Sequence, residues 1–190
     1  MLMERAVFLD RDGTIIEDVG YLDDCSKIKF LPRVSEAIKL LNKSGFKVII
    51  VTNQAGVARG YFTEDTVKEI NRITQESLAE HGAVIDKIYY CPHHVEGTIE
   101  EYKKDCNWRK PNTGMIEEAA RELGIDLNNS FIIGDKISDI EAGHRAGCKT
   151  IFLASENHPN KEGEIPLSDH IATDLYEAVQ WLMQFGRHKE

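Results

Sequence analysis

Asp10 and Asp12 stand two residues apart in the run Asp10–Arg11–Asp12–Gly13–Thr14, directly after the apolar stretch Ala6–Leu9. Residues i and i+2 of an extended segment point the same way, so both carboxylates can face one site. Brought together, they repel each other unless a cation or a shared proton intervenes. Three further stretches carry comparable groups: Thr52–Asn53–Gln54, Arg109–Lys110–Pro111, and Gly134–Asp135–Lys136 with Asp139 just beyond. Hard oxygen ligands suit Mg²⁺, and Mg²⁺ beside a lysine suits a phosphate group. A carboxylate there can act as a covalent nucleophile, forming an aspartyl phosphate. Each stretch alone is weak. Asp-Gly is a common turn pair, Thr and Asn cap helices, a lone lysine is usually a solvated charge, and Asp135 could be only an N-cap. Taken together and in order, they point to one site for phosphate.

Such a site needs strands that end side by side. Ala6–Leu9, Lys47–Val51, Ile88–Tyr90, Ser130–Ile133 and Thr150–Leu153 are short continuous apolar runs, the pattern of strands buried on both faces. Between them Val34, Ala37, Ile38 and Leu41 share a helical face after Pro32, a favoured helix-start residue, and Gly45 closes that helix. Thr63–Thr66 starts a helix bearing Val67, Ile70, Ile73 and Leu78 that ends at His81–Gly82. Further helices are predicted over 113–123, 137–146 and 174–185. This alternation predicts an α/β fold, a mostly parallel sheet with helices on both faces and right-handed crossovers. Ligands bind beyond the carboxyl ends of such strands, where the four stretches lie. Residues 91–112 have no clear period, and so long a loop is usually functional. One domain over residues 1–190 is expected, with no repeat or linker, and its last residues, 187–190, are expected to fray.

The four motifs resemble those of the haloacid dehalogenase (HAD) superfamily of phosphatases. They are D-x-D-G-T at Asp10–Thr14, a strand-terminal Thr52, Lys110, and G-D-x-x-x-D at Gly134–Asp139. The resemblance implies a HAD-like Rossmannoid fold and a role for each matching position. Asp10 would be the nucleophile; Asp12 would be the acid for the leaving oxygen, then the base for water. Asp10, the Asp12 carbonyl and Asp135 would hold Mg²⁺, supported by Lys136 and by Asp139, the latter beside the ligands or among them. Thr52 and Lys110 would grip the transferring phosphoryl group.

Gly20–Tyr21, Thr52–Gly60, Tyr90–His94, Arg109–Pro111 and Gly134–Lys136 are further similar to the D-glycero-D-manno-heptose-1,7-bisphosphate 7-phosphatases, over essentially the whole chain. That branch implies loss of the 7-phosphate on the route to nucleotide-activated heptose and no large cap domain. It also implies specificity from the 91–112 loop and substrate contacts at Asn53, Gln54, Arg59 and Arg109. Gln54 and Arg59 read equally well as a loop cap and a solvated charge. Histidinol-phosphate phosphatases, a related branch, stay open as an alternative. So does a receiver-like phospho-acceptor, although receivers carry the acceptor aspartate at a middle strand end, where this chain has Thr52–Asn53.

The same family often holds a structural Zn²⁺ with C-x-H and, further on, C-x-C. Here the first half is intact as Cys91–Pro92–His93, but the second reads Cys106–Asn107–Trp108. Indole does not ligate zinc, and structural sites are almost always four-coordinate. Two readings stay open: zinc on Cys91, His93 and Cys106, with His94 as a candidate fourth ligand, or a vestigial site packed by Trp108. Cys25 and Cys148 read as ordinary reduced thiols, Cys148 buried beside a strand. His144, His158, His170 and His188 read as surface or structural residues, and Trp181 as core.

The net charge is 23 − 32 = −9, which argues against a nucleic-acid backbone or an anionic membrane as partner. It does not argue against a small phosphosugar, because a bound divalent cation reverses the local field. At 42% hydrophobic and 29% charged residues, the chain is not of the disordered class. No stretch approaches the ~18–20 apolar residues of a membrane span. Glu4, Arg5 and Asp10 interrupt the first apolar run, so no secretory signal is expected. A cytoplasmic protein is expected, and by the resemblance a monomer.

Overall fold

A computed structural model describes residues 3–154 and 167–185. Six strands form one sheet: β1 (Arg5–Leu9), β2 (Phe46–Asn53), β3 (Lys87–Cys91), β4 (Phe131–Gly134), β5 (Lys149–Leu153) and β6 (His170–Ala172). All pairings are parallel, in the order β3-β2-β1-β4-β5-β6, so β1 sits between β2 and β4. The helices are α1 (Val34–Lys43), α2 (Ala55–Ala58), α3 (Glu64–Glu80), α4 (Gly114–Leu123), α5 (Ile137–Ala146) and α6 (Leu175–Phe185).

The continuous apolar strands are explained by burial on both faces. Val7, Leu9, Val48, Ile50 and Ile133 face α1, α3 and α6, packing with Ile38, Leu41, Ile70 and Val179. Their neighbours Ala6, Phe8, Ile49, Val51 and Ile132 face α4 and α5, packing with Met115, Ile116 and Ala142. Each fully buried side chain of this kind stabilises the fold by roughly 1.5–3 kcal/mol. α5 comes unusually close to the sheet: a Cβ on Gly143 would lie 2.1 Å from Cγ2 of Ile132. That approach brings the first turn of α5, with Asp139, under the end of β4.

Several boundaries differ from the sequence expectation. Pro32 lies in a turn ahead of α1, not in its first turn, and Arg33 makes the entry with φ 59°. The Arg33 guanidinium stacks 3.4 Å above the Tyr176 ring, which gives that left-handed residue a partner. Ser130 precedes β4; its hydroxyl accepts from Ala6 N at 3.0 Å and donates to Asp126 O. Strand β6 and helix α2 were too short to leave a periodic signal. Thr63 caps α3 as expected, accepting from Thr66 N. Cys91 still belongs to β3, and the remaining 92–112 segment is irregular apart from a single 3-10 turn at Glu100–Tyr102. His158, His188 and the tail 187–190 lie outside the described residues.

Candidate active site

Asp10 follows the last residue of β1 and Asp135 the last of β4, while Thr52 and Asn53 end β2. The fourth element is the end of the 91–112 loop. There the Asn53 amide brackets the Lys110 backbone, Nδ2 donating to Lys110 O at 2.9 Å and Oδ1 accepting from Lys110 N at 3.0 Å. Both polar ends of Asn53 are therefore spent on the loop, so its placement is that of a clamp on Lys110. The side chain of Lys110 is thereby pushed under the strand ends, only 1% exposed. Its Nζ donates to Asp10 Oδ1 at 2.8 Å and to Val51 O at 2.6 Å, and lies 2.7 Å from Asp139 Oδ1.

The electrostatics follow from this burial. Burial opposes ionisation of Asp10, but Lys110 and Lys136 outweigh it and hold the carboxyl at about 2, so Asp10 is an anion at neutral pH. Burial works against the Lys110 ammonium too, yet Asp10 and Asp139 raise its pKa. Burial raises Asp139, with Lys110 opposing. Asp135 is pushed up to about 8, first by burial and then by Asp10 and Asp139, with Lys136 in opposition. Its Oδ1 is buried with no hydrogen-bond partner.

Two motif glycines make room for these carboxylates. A Cβ on Gly13, whose φ is +91°, would lie 2.2 Å from Asp135 Oδ2. One on Gly134 would lie 2.2 Å from Asp139 Oδ2. That same Oδ2 accepts from Lys136 N at 3.1 Å and fixes the start of α5.

Oxygens of Asp10, Asp135 and Asp139 converge within 4.8 Å of one another, a hard donor set. The Lys136 ammonium already stands among them, 3.4 Å from Asp10 Oδ2, 3.1 Å from Asp12 O and 3.8 Å from Asp135 Oδ1. It also lies 3.2 Å from Asp18. Converging carboxylate oxygens, one of them buried without a hydrogen-bond partner, are what a divalent-cation site needs, and the ammonium marks where positive charge is drawn; these residues fit Mg²⁺.

Asp12 is 17% exposed and held by two neighbours. Arg11 Nη2 donates to both its carboxylate oxygens at 3.1 and 3.0 Å, and Gln54 Nε2 donates to Oδ2 at 2.8 Å. Gln54 also donates to Thr52 Oγ1 at 2.8 Å, which links the two strand-end positions.

The remaining expected contacts lie on the outer loops. Arg59 pairs with Glu96 at 3.3 Å, although its Nε is buried without a partner. Arg109 Nη1 donates to His93 O at 3.3 Å; burial lowers the pKa of this guanidinium. Tyr21 lies close enough to act on its charge, and Tyr21 meets Tyr61 edge to face at 4.6 Å.

Cys91, His93 and Cys106 do meet, with ligand atoms within 4.8 Å and His93 Nδ1 3.2 Å from Cys106 Sγ. Burial pushes the Cys91 thiol up to about 12. His94 does not join them, contrary to its candidacy as fourth ligand. Its Nδ1 accepts from Glu96 N at 3.0 Å, which turns the ring into its own loop. Trp108 packs edge to face on Tyr89 at 5.9 Å. Three ligands suit a soft or borderline metal, and the fourth position of a tetrahedral site has no protein donor among the described residues.

Arg11, Asp18 and Asn71 belong to the site but had no place in the sequence reading. Asn71 could have been found, as an amide on the apolar face of α3. Cys25 and Cys148 are free thiols, Cys148 buried. Trp181 packs against the core and stacks on His170 at 4.4 Å. His144 bonds Leu167 O.

Residues 107–178 match the family model described as HAD-hydrolase-like. The chain is 43% identical over 186 residues to D-glycero-beta-D-manno-heptose-1,7-bisphosphate 7-phosphatase of Haemophilus influenzae, covering 97% of this chain and 100% of that one. It is 40% identical over 158 residues to the alpha-heptose 7-phosphatase of Photorhabdus laumondii, covering 83% and 86%. Its fold matches the crystal structure of D,D-heptose 1,7-bisphosphate phosphatase from B. bronchiseptica complexed with magnesium and phosphate. That match has a TM-score of 0.82 at 29% identity, over 95% of this chain and 99% of that chain.

Proposed function

Because the chain belongs to the HAD-like D-glycero-D-manno-heptose-1,7-bisphosphate 7-phosphatases, we propose that it is a phosphoric monoester hydrolase acting on that sugar bisphosphate. The observation that carries the reading is the buried Asp10–Lys110–Asp139 array beside the unpartnered Asp135 oxygen. An ionised Asp10 is available to attack the phosphorus of the 7-phosphate, forming a P–O bond as the bond to the sugar oxygen breaks. Asp12 gives its proton to that departing oxygen, which leaves as the alcohol. In the second step Asp12 takes a proton from water, whose oxygen attacks phosphorus. The Asp10–phosphorus bond then breaks, releasing inorganic phosphate and restoring the carboxylate.

Thr52 and Lys110 grip the phosphoryl group through a hydroxyl and an ammonium. Asp10, Asp135 and the Asp12 carbonyl would hold Mg²⁺, with Asp139 and Lys136 in support. When bound, the ion offsets the phosphoryl charge that grows in the transition state. Arg59 and Arg109 supply donors toward the rest of the sugar bisphosphate, while Gln54 contributes by holding Asp12 and Thr52 and Asn53 by seating Lys110.

The same reading takes residues 1–190 as one phosphatase domain acting as a cytoplasmic monomer, with a small phosphosugar as its partner. No helix among the described residues is long and apolar enough to cross a membrane. Zn²⁺ on Cys91, His93 and Cys106 is part of the proposal, as a loop-stabilising ion with three protein ligands.

The test is phosphate release from both anomers of heptose 1,7-bisphosphate, histidinol phosphate and simple sugar phosphates, with and without Mg²⁺. We expect Mg²⁺-dependent release from a heptose bisphosphate, leaving the 1-phosphate in place. Far faster turnover of histidinol phosphate would overturn the substrate, and a stable phosphoprotein without turnover would favour a phospho-acceptor.

A further inference from the structure

Arg11 is a buried charge that the mechanism above does not use. It is only 1% exposed, and a side chain of that kind is almost never sealed in unless it is paired. Its pairing is specific. Nη2 donates to both oxygens of Asp12 at 3.1 and 3.0 Å, Nε to Oδ1 at 3.3 Å, and Nη1 to Asn71 Oδ1 at 2.8 Å. Asn71 sits on the buried face of α3 among Val67, Ile70, Thr74 and Leu78. It is an amide where an apolar residue would pack, and its carbonyl oxygen holds the guanidinium.

We infer that Arg11, braced by Asn71, is a positioning residue that fixes the Asp12 carboxylate for proton transfer; this rests on reading Asp12 as the acid and base. A guanidinium presents a planar fork, so it sets the orientation of a carboxylate as well as its place. Gln54 Nε2 adds a donor to Oδ2, and Asp12 is held from both sides while an edge stays open to solvent. The brace ties the Arg11 side of Asp12 to α3. Proton transfer depends on such placement: an error of about 1 Å costs on the order of 10²-fold in rate.

The test separates positioning from simple structural support by the leaving group. A nitrophenolate departs without a proton, whereas a sugar alkoxide needs one. Arg11→Lys keeps the charge and loses the fork; Asn71→Leu keeps the packing and removes the brace. On heptose bisphosphate with Mg²⁺, both variants should lower kcat by about 10–100-fold with little change in KM. On p-nitrophenyl phosphate they should release a burst of nitrophenolate near one equivalent per enzyme, then turn over slowly, since only the second step still needs Asp12. Equal losses on both substrates without a burst, or an unchanged kcat, would overturn the positioning role. If Arg11→Lys fails to fold by circular dichroism, Asn71→Leu decides. Asp12→Asn is the control. Should it lack the burst itself, the acid–base reading fails first, and that failure is told apart by the variant that shows it.

Discussion

Nζ of Lys110 lies 2.8 Å from Oδ1 of Asp10, with the two side chains 1% and 4% exposed. The lysine is shared, for Asp139 stands 2.7 Å from the same nitrogen. One cation thus serves two buried carboxylates, and the consequences of removing either partner differ. Lys110→Met leaves both anions without their shared charge and should cost about 3–5 kcal/mol of stability as well as activity. Asp10→Asn removes one of the anions instead; Lys110 keeps Asp139, and the loss of stability should be smaller than in Lys110→Met while turnover is abolished. Urea unfolding and phosphate release check both. Substantial turnover by Asp10→Asn would falsify its role as nucleophile.

The two carboxyls at the strand ends move in opposite directions with pH. Asp10 sits at about 2, against an ordinary value of 3.8, so it stabilises the fold above about 4 and that contribution is lost as pH falls through about 2. Asp135 sits at about 8, so the fold favours its neutral form. Its contribution is intact below about 4 and is eroded as pH rises through about 8. In chelator, the melting temperature should therefore fall between pH 6.5 and 8. Mg²⁺ should raise it more at pH 8 than at 6.5, since a proton competes with the metal at the lower pH. Asp135→Asn should flatten the slope. A slope that survives this substitution would show that another group is responsible.

Gly13 and Gly45 both have positive φ, +91° and +76°, but different surroundings. A Cβ on Gly45 meets nothing within 4 Å, so Gly45→Ala should cost only backbone strain, about 1 kcal/mol. At Gly13 the same methyl would lie 2.2 Å from Asp135 Oδ2, and the carboxylate must move. Gly13→Ala should add about 1–3 kcal/mol to the strain and weaken Mg²⁺ binding at least tenfold. Denaturant melts and calorimetric Mg²⁺ titration read the two effects. Equal behaviour of the two alanines would show that the site tolerates the displaced carboxylate.

Much of this site was legible because its chemistry lies where strands end. Continuous apolar runs give the strand ends, and the groups after them, Asp10, Thr52 and Asp135, fall together once the sheet is parallel. Lys110 was legible as a candidate group, but its role on the phosphoryl group only through resemblance, since its burial depends on Asn53 clamping a loop with no period of its own. Arg11 and Asn71 are sixty residues apart, and no local pattern connects them. An amide's type does not say which partner it takes, and Asn53 spends both its ends on the Lys110 backbone. β6, three residues long, is made a strand by its pairing with β5 rather than by its own sequence.

Trp108 stands where the family's zinc loop has its second C-x-C cysteine, and its ring packs on Tyr89 instead. Cys91, His93 and Cys106 are nevertheless gathered, with His93 Nδ1 between the sulfurs at 3.8 and 3.2 Å. If they hold zinc, the protein prepared without chelator should contain it, and less than about a tenth of an equivalent eliminates the site. A tetrahedral ion with three protein ligands keeps an exchangeable fourth position. Zinc should then leave readily to a chromogenic chelator, and Trp108→Cys should slow its loss by about tenfold or more by closing the shell. The substitution also removes the ring from Tyr89, so Trp108→Ala is the needed comparison: it loses the same packing and gains no thiol. Slower release in the cysteine variant alone assigns the effect to ligation. Equal release from both would mean that position 108 does not reach the ion, and the family's fourth ligand has no counterpart in this loop.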